Sequence, residues 1–214
     1  IYSQMKQEVF QVSPKARIRK ATAFHEAGHA VIAYLEGVKF RYVTVNPGED
    51  FAGMVRLHKV PQSVELGEWT PWARHQAEAR IMLSLAGGYA AAQVFPRSHS
   101  SRLSDADWYL IDCCLGEYGG SNTDERNAYF RWLEIRTRNK VRFRLVWPLI
   151  ESVADALMER KTLKCSEVGE IIRQTQKRLL EEYMSGLAGV SQTAESDQTT
   201  PGPTTSLLVE GTQA

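Results

Sequence analysis

The stretch from Thr22 to Glu36 constrains this chain more than any other. It reads Thr-Ala-Phe-His-Glu-Ala-Gly-His-Ala-Val-Ile-Ala-Tyr-Leu-Glu, with His25, Glu26 and His29 in an H-E-x-x-H spacing. Residues four apart on an α-helix project from nearly the same side, one turn apart. His25 and His29 can therefore offer two imidazole nitrogens to one metal ion. Glu26 lies about 100° round the helix from His25. From there its carboxylate can reach a water on the metal without being a ligand itself. Zinc-dependent peptide hydrolysis uses this arrangement. With five histidines in 214 residues, a chance match is expected in on the order of one shuffled chain in a hundred.

The spacing has meaning only on a helix, and the flanking residues predict one. Ser13-Pro14 combines a capping side chain with the residue best suited to the first helical position. No proline follows until after Glu36, and Gly37 is a natural stop. Ile18, Ala21, Ala23, Phe24, Ala27, Ala30, Val31, Ala33, Tyr34 and Leu35 recur at helical spacing. The apolar arc is wide enough to predict burial of the helix's second half. Two buried histidines and a buried glutamate need partners, which a metal supplies.

The rest of the chain reads as one domain around this helix. Phe40 to Val45 alternates in the manner of a strand, Asn46 to Asp50 is turn chemistry, and Gly53 to Lys59 is a second strand. Together they predict a short β-hairpin whose edge can hold an extended peptide. Val60 to Trp69 is expected to be a loop. Thr70-Pro71 starts a helix to about Phe95, in which Gly87 and Gly88 allow another helix to approach closely. Ser104 caps a helix that ends between Gly116 and Gly120. Asn122 to Asp124 offers a further cap, and Glu125 to Arg160 is helical with a break or kink at Pro148. Ser166 caps a last amphipathic helix. The domain is expected over 13–185, after a lead-in at 1–12 and before a Ser-, Thr-, Gln-, Gly- and Pro-rich tail at 186–214, expected to be disordered.

A net charge of +1 gives no global field that would draw nucleic acid or an anionic membrane. Arg131, Arg136, Arg138, Lys140, Arg142 and Arg144 crowd one predicted helix but fall around it. A solvated face or a protein contact is expected there, with no nucleic-acid partner. Cys113, Cys114 and Cys165 form neither a disulfide framework nor a C-x-x-C zinc site, and three buried thiols in a reducing compartment are expected. There is no visible signal peptide and no apolar run of the roughly 20 residues that a membrane span needs. A cytoplasmic location without a membrane segment follows as the expectation.

A catalytic zinc normally has three protein ligands and an open position. His58, His75 and His99 stay open for the third. The segment Ser104-Asp105-Ala106-Asp107, with carboxylates in the first turn of a helix, is more attractive.

The block Arg19-Lys20-Ala21-Thr22-Ala23-Phe24-His25-Glu26-Ala27-Gly28-His29-Ala30-Val31 resembles the start of the peptidase domain of the FtsH-type ATP-dependent zinc metalloproteases. Val43 to Gly48 resembles that family's strand after the zinc helix. Leu85-Ala86-Gly87-Gly88-Tyr89-Ala90-Ala91 is similar to its small-residue helix. Asp105-Ala106-Asp107-Trp108 resembles the block carrying its third zinc ligand. The resemblance implies a mainly α fold with a small β-hairpin, a zincin-like helical bundle. It implies zinc on His25, His29 and Asp107, with Asp105 as the alternative, and Glu26 as general base. Ala92 stands where the family has a glutamate, Tyr89 where it has an arginine, and no phosphate-binding G-x-x-x-x-G-K-[ST] loop is present. The implied activity is that of a metalloendopeptidase on flexible or unfolded protein or peptide segments, without the family's motor. A separate unfoldase and a homo-oligomer stay open as partners. The alternative is a zinc-stabilised, proteolytically inactive protein-binding or adaptor module.

Overall fold

Capping side chains followed closely by helix formers set the framework of this computed structural model, which describes residues 13–48, 52–96 and 102–196. Helix α1 spans Pro14–Leu35, and Ser13 Oγ accepts the Ala16 amide at 3.3 Å. It stops at Gly37, whose φ of 73° suits a residue without Cβ. Burial begins at Ala21 and continues to Ala33, so the second half of α1 is the buried half. Strand β1 is Phe40–Thr44, β2 is Met54–Leu57, and α2 is a single turn at Gln62–Glu65. That turn lies inside the stretch expected to be a loop. Helix α3, Pro71–Val94, starts under a Thr70 cap that takes the Ala73 amide at 3.1 Å.

Helix α4 is Asp105–Tyr118 and α5 is Thr123–Arg142, opened by Asn122 Oδ1 accepting the Glu125 amide at 2.8 Å. The predicted helix to Arg160 is two helices. α5 ends at Arg142, and α6, Trp147–Arg160, begins with Pro148 in its first turn, where a missing amide hydrogen costs nothing. Strand β3 is Thr162–Lys164, and α7, Cys165–Ser196, starts one residue before the expected Ser166 cap. The molecule is mainly helical with one small antiparallel sheet.

The sheet has three strands in the order β2-β1-β3, so the predicted hairpin is two-thirds of it. Val43 lies opposite Val55 on one side and Leu163 on the other. The third strand escapes periodicity because three residues are too few to show alternation. Its place comes from pairing with β1 and from Lys161, which leaves α6 at φ 65°. β2 is an edge strand.

Helix α1 packs chiefly on α3 and α6. At the α1–α3 contact, a Cβ on Gly28 would stand 2.7 Å from both the Ala86 carbonyl oxygen and Ala90 Cβ. The two backbones come that close because small residues face each other. Behind this contact lie Ile32, Ile81, Leu149, Ile150 and Leu157, each at most 1% exposed. Burying such a side chain contributes roughly 1.5–3 kcal/mol.

Cys114 is buried and Cys165 half-buried, but Cys113 is exposed, contrary to the expectation of three buried thiols. Adjacent residues on a helix point about 100° apart, so one face of α4 cannot hide both. On α5, Lys140 pairs with Glu36 at the C-cap of α1, Arg131 with Glu134, and Arg136 stands over the Trp132 ring at 5.2 Å. No helix among the described residues is long and apolar enough to cross a membrane.

The chain divides into two compact units, Ile1–Gln176 and Lys177–Ala214. In the second, α7 continues to Ser196 with Lys177–Glu181 and Arg178–Glu182 pairs one turn apart. Helix therefore covers the start of the stretch expected to be a tail. The expected lead-in at 1–12 and the tail beyond 196 lie outside the described residues.

Candidate metal centre

The site is assembled where α1, α3 and α4 meet. His25 and His29 stand one turn apart on α1, with their Nε2 atoms 2.9 Å from each other. Asp107 arrives from the first turn of α4, and its Oδ1 lies 3.9 Å from His29 Nε2. One ligating atom from each of the three lies within 4.8 Å of the others. A tetrahedral ion with bonds of about 2.0–2.1 Å needs ligand atoms roughly 3.3 Å apart. The separations of 2.9 and 3.9 Å straddle that value, so the residues fit zinc with small movements of the side chains.

Two further contacts aim the donors. His29 Nδ1 lies 2.6 Å from the Leu83 carbonyl oxygen of α3. A carbonyl only accepts, so Nδ1 carries the hydrogen and Nε2 keeps its lone pair for a metal. Asp107 is the N3 residue of a capping box. Its Oδ2 accepts from the Ser104 amide at 3.0 Å and the Ser104 hydroxyl at 2.6 Å. One oxygen is thus fixed by the helix cap, and the other faces His29.

Glu26 is 5% exposed. Burial pushes its carboxyl up to about 7; His29 lowers it by less, and Asp107 adds to the rise. A carboxylate titrating near neutrality is well matched to taking and returning a proton.

Two glycines shape the space. A Cβ on Gly87 would land on the His29 imidazole. A Cβ on Gly53, just before β2, would stand 2.7 Å from Glu26 Cγ and Oε1. Gly87 was read from sequence as a helix-approach residue, and it makes room for a ring. Gly53 had no local signal, because its constraint comes from α1 across the chain. The Leu83 carbonyl was equally hidden, since any residue can supply one.

The other candidates go elsewhere. Asp105 is exposed and stands outside the cluster, as does His75. His58 lines a separate cleft against β2. His99 lies outside the described residues.

Neither a protein-family model nor a curated protein matches the chain.

Proposed function

We propose that this chain is a zinc-dependent metalloendopeptidase that cleaves flexible or unfolded protein segments. The observation that carries the reading is the convergence of His25, His29 and Asp107 beside a buried Glu26. His25 Nε2, His29 Nε2 and Asp107 Oδ1 would hold the ion. Zinc in that position supplies Lewis acidity, which polarises a carbonyl and makes a water easier to deprotonate. Glu26 takes the proton from the attacking water and later delivers it to the leaving amine. Leu83 and Ser104 keep His29 and Asp107 oriented throughout. The free edge of β2 pairs with the peptide in extended form, starting beside Glu26 at Gly53.

The test measures zinc per purified chain by elemental analysis, together with cleavage of an unfolded protein. About one zinc per chain and measurable cleavage are expected. Glu26→Gln should keep the zinc and lose about 10²–10⁴-fold or more in turnover. One zinc with no cleavage of any unfolded substrate would favour the adaptor alternative. Turnover unchanged in Glu26→Gln would end the proposed mechanism.

A further inference from the structure

One helical turn from the metal centre lies a cleft that the reaction does not use. Arg80 sits on α3 three residues before Leu83, and Leu110 on α4 three residues after Asp107. Both line a cleft of about 360 Å³ whose other walls include Arg41, Arg56, His58 and Lys59. Among the described lining residues there is no carboxylate.

Arg80 is the unusual member. It is 3% exposed, and its Nε is buried with no hydrogen-bond partner. A buried guanidinium N–H without an acceptor is costly, and folded proteins normally pair it. The charge nearest to it in character, the Cys114 thiol, cannot serve. Burial pushes that thiol up to about 11, so it is neutral at physiological pH. The cleft therefore presents the buried Arg80 side chain with an unpaired Nε–H, three further cations at its rim and, among the described lining residues, no anion. A planar carboxylate matches a guanidinium fork in shape and charge.

The strand β2 connects this cleft to the metal centre. It begins next to Gly53, which abuts Glu26, and it ends at Leu57 in the cleft wall. Its four residues, Met54–Leu57, span about 14 Å at roughly 3.4 Å each. A peptide paired along the β2 edge would bring a group a few residues from the scissile bond over Arg80.

We propose that the cleft is an anion subsite on the peptide path, in which Arg80 receives a carboxylate of the substrate, either an acidic side chain or the chain terminus. That the ligand is a peptide rests on the peptidase reading; that it is an anion rests on the cleft alone.

The test uses three dye-labelled peptides of one sequence. The first has an internal Glu and an amidated end, the second has Gln there and an amidated end, and the third has Gln and a free terminal carboxylate. Affinities are read by fluorescence anisotropy in the Glu26→Gln background, so that the peptides stay intact. At least one carboxylate peptide is expected to bind about tenfold or more tighter than the neutral one, the scale of a charge-assisted hydrogen bond. Which one does so distinguishes a side-chain from a terminal carboxylate. Arg80→Met should abolish the preference. Should that variant fail to fold by circular dichroism, the rim variant Arg41→Gln/Arg56→Gln decides, and the preference should fall about threefold or more. Equal affinity for the three peptides, no binding of any, or a preference that survives these substitutions overturns the subsite. Wild-type cleavage of all three at equal rates and affinities would sink the subsite and leave the peptidase. Carboxylate-selective binding with no cleavage would do the reverse.

Discussion

Helix α3 borders two clusters of polar side chains that are built on opposite terms. Towards α5, Glu78 receives the Tyr129 hydroxyl at 2.5 Å and Arg74 Nε at 3.3 Å, and farther along Tyr89 donates to Glu134 at 2.8 Å. Towards α1 and α4, Leu83 and Gly87 face His29, with His25, Asp107 and Glu26 around it. The first cluster closes on itself: each acid has a hydroxyl and a cation, and Arg74 is half in water. The second gathers two imidazoles and two carboxyls with no cation of its own among them, and it holds Glu26 at 5% exposure. A self-satisfied seam positions helices. On the proposed reading, a buried set of donors aimed at one point, and left short of positive charge, is completed by a metal ion. That difference separates structural from functional polarity here more clearly than burial or residue type does.

The largest effect that would break the comparison is loss of the outside partner. Zinc at about 100 times its dissociation constant should stabilise the protein by about 2.7 kcal/mol. For a chain of this size that raises the melting temperature by roughly 5–10 °C. His29→Ala should abolish the shift, and thermal melts with zinc and with chelator read both results. Equal melting temperatures in wild type with and without zinc would mean that the second cluster is as self-sufficient as the first.

How much of this was legible follows the same division. The helix starts at Ser13, Thr70 and Asn122 were legible because caps act over three residues. The H-E-x-x-H spacing was legible because one helix carries it. The choice between Asp105 and Asp107 was not a local matter. The two lie about 200° apart on α4, and only docking of α4 against α1 decides which carboxylate faces His29. Strand β3 and the depth of Arg80 depend in the same way on contacts far along the chain. A lone arginine in a helix ordinarily reads as a solvated side chain. The exposed Cys113 beside the buried Cys114 makes the point at adjacent positions.

A smaller effect sharpens the comparison by changing one methyl group. Gly87→Ala gains helix propensity, worth about 1 kcal/mol, but its Cβ meets the His29 ring. Displacing a ligand whose orientation is set by Leu83 should cost about 10–100-fold in zinc affinity. The matched control is Gly116→Ala on the exposed face of α4, where a Cβ meets nothing within 4 Å. There the propensity gain, about 0.5–1 kcal/mol, should appear as stability with no change in zinc affinity. Competition against a chelating dye measures the affinities, and denaturant titration the stabilities. A Gly87→Ala protein that binds zinc as wild type does would show that His29 can move aside, and that the site is looser than its contacts suggest.

The smallest effect is expected in the seam. Tyr129→Phe removes the hydroxyl that Glu78 accepts but leaves Arg74 to pair with that carboxylate. The Glu78 side chain is 19% exposed, so water can replace what is lost. The cost should therefore be that of an ordinary hydrogen bond, about 1 kcal/mol, with no penalty for an orphaned charge. The Tyr129 ring stays in place and keeps its stacking on Trp132 and the Arg74 guanidinium over its face. Because the seam is complete in itself, zinc affinity should not move. A shift of more than about threefold in zinc affinity would exceed what independent sites show. It would mean that α3 transmits strain from one cluster to the other, and that the seam is part of the metal site's support.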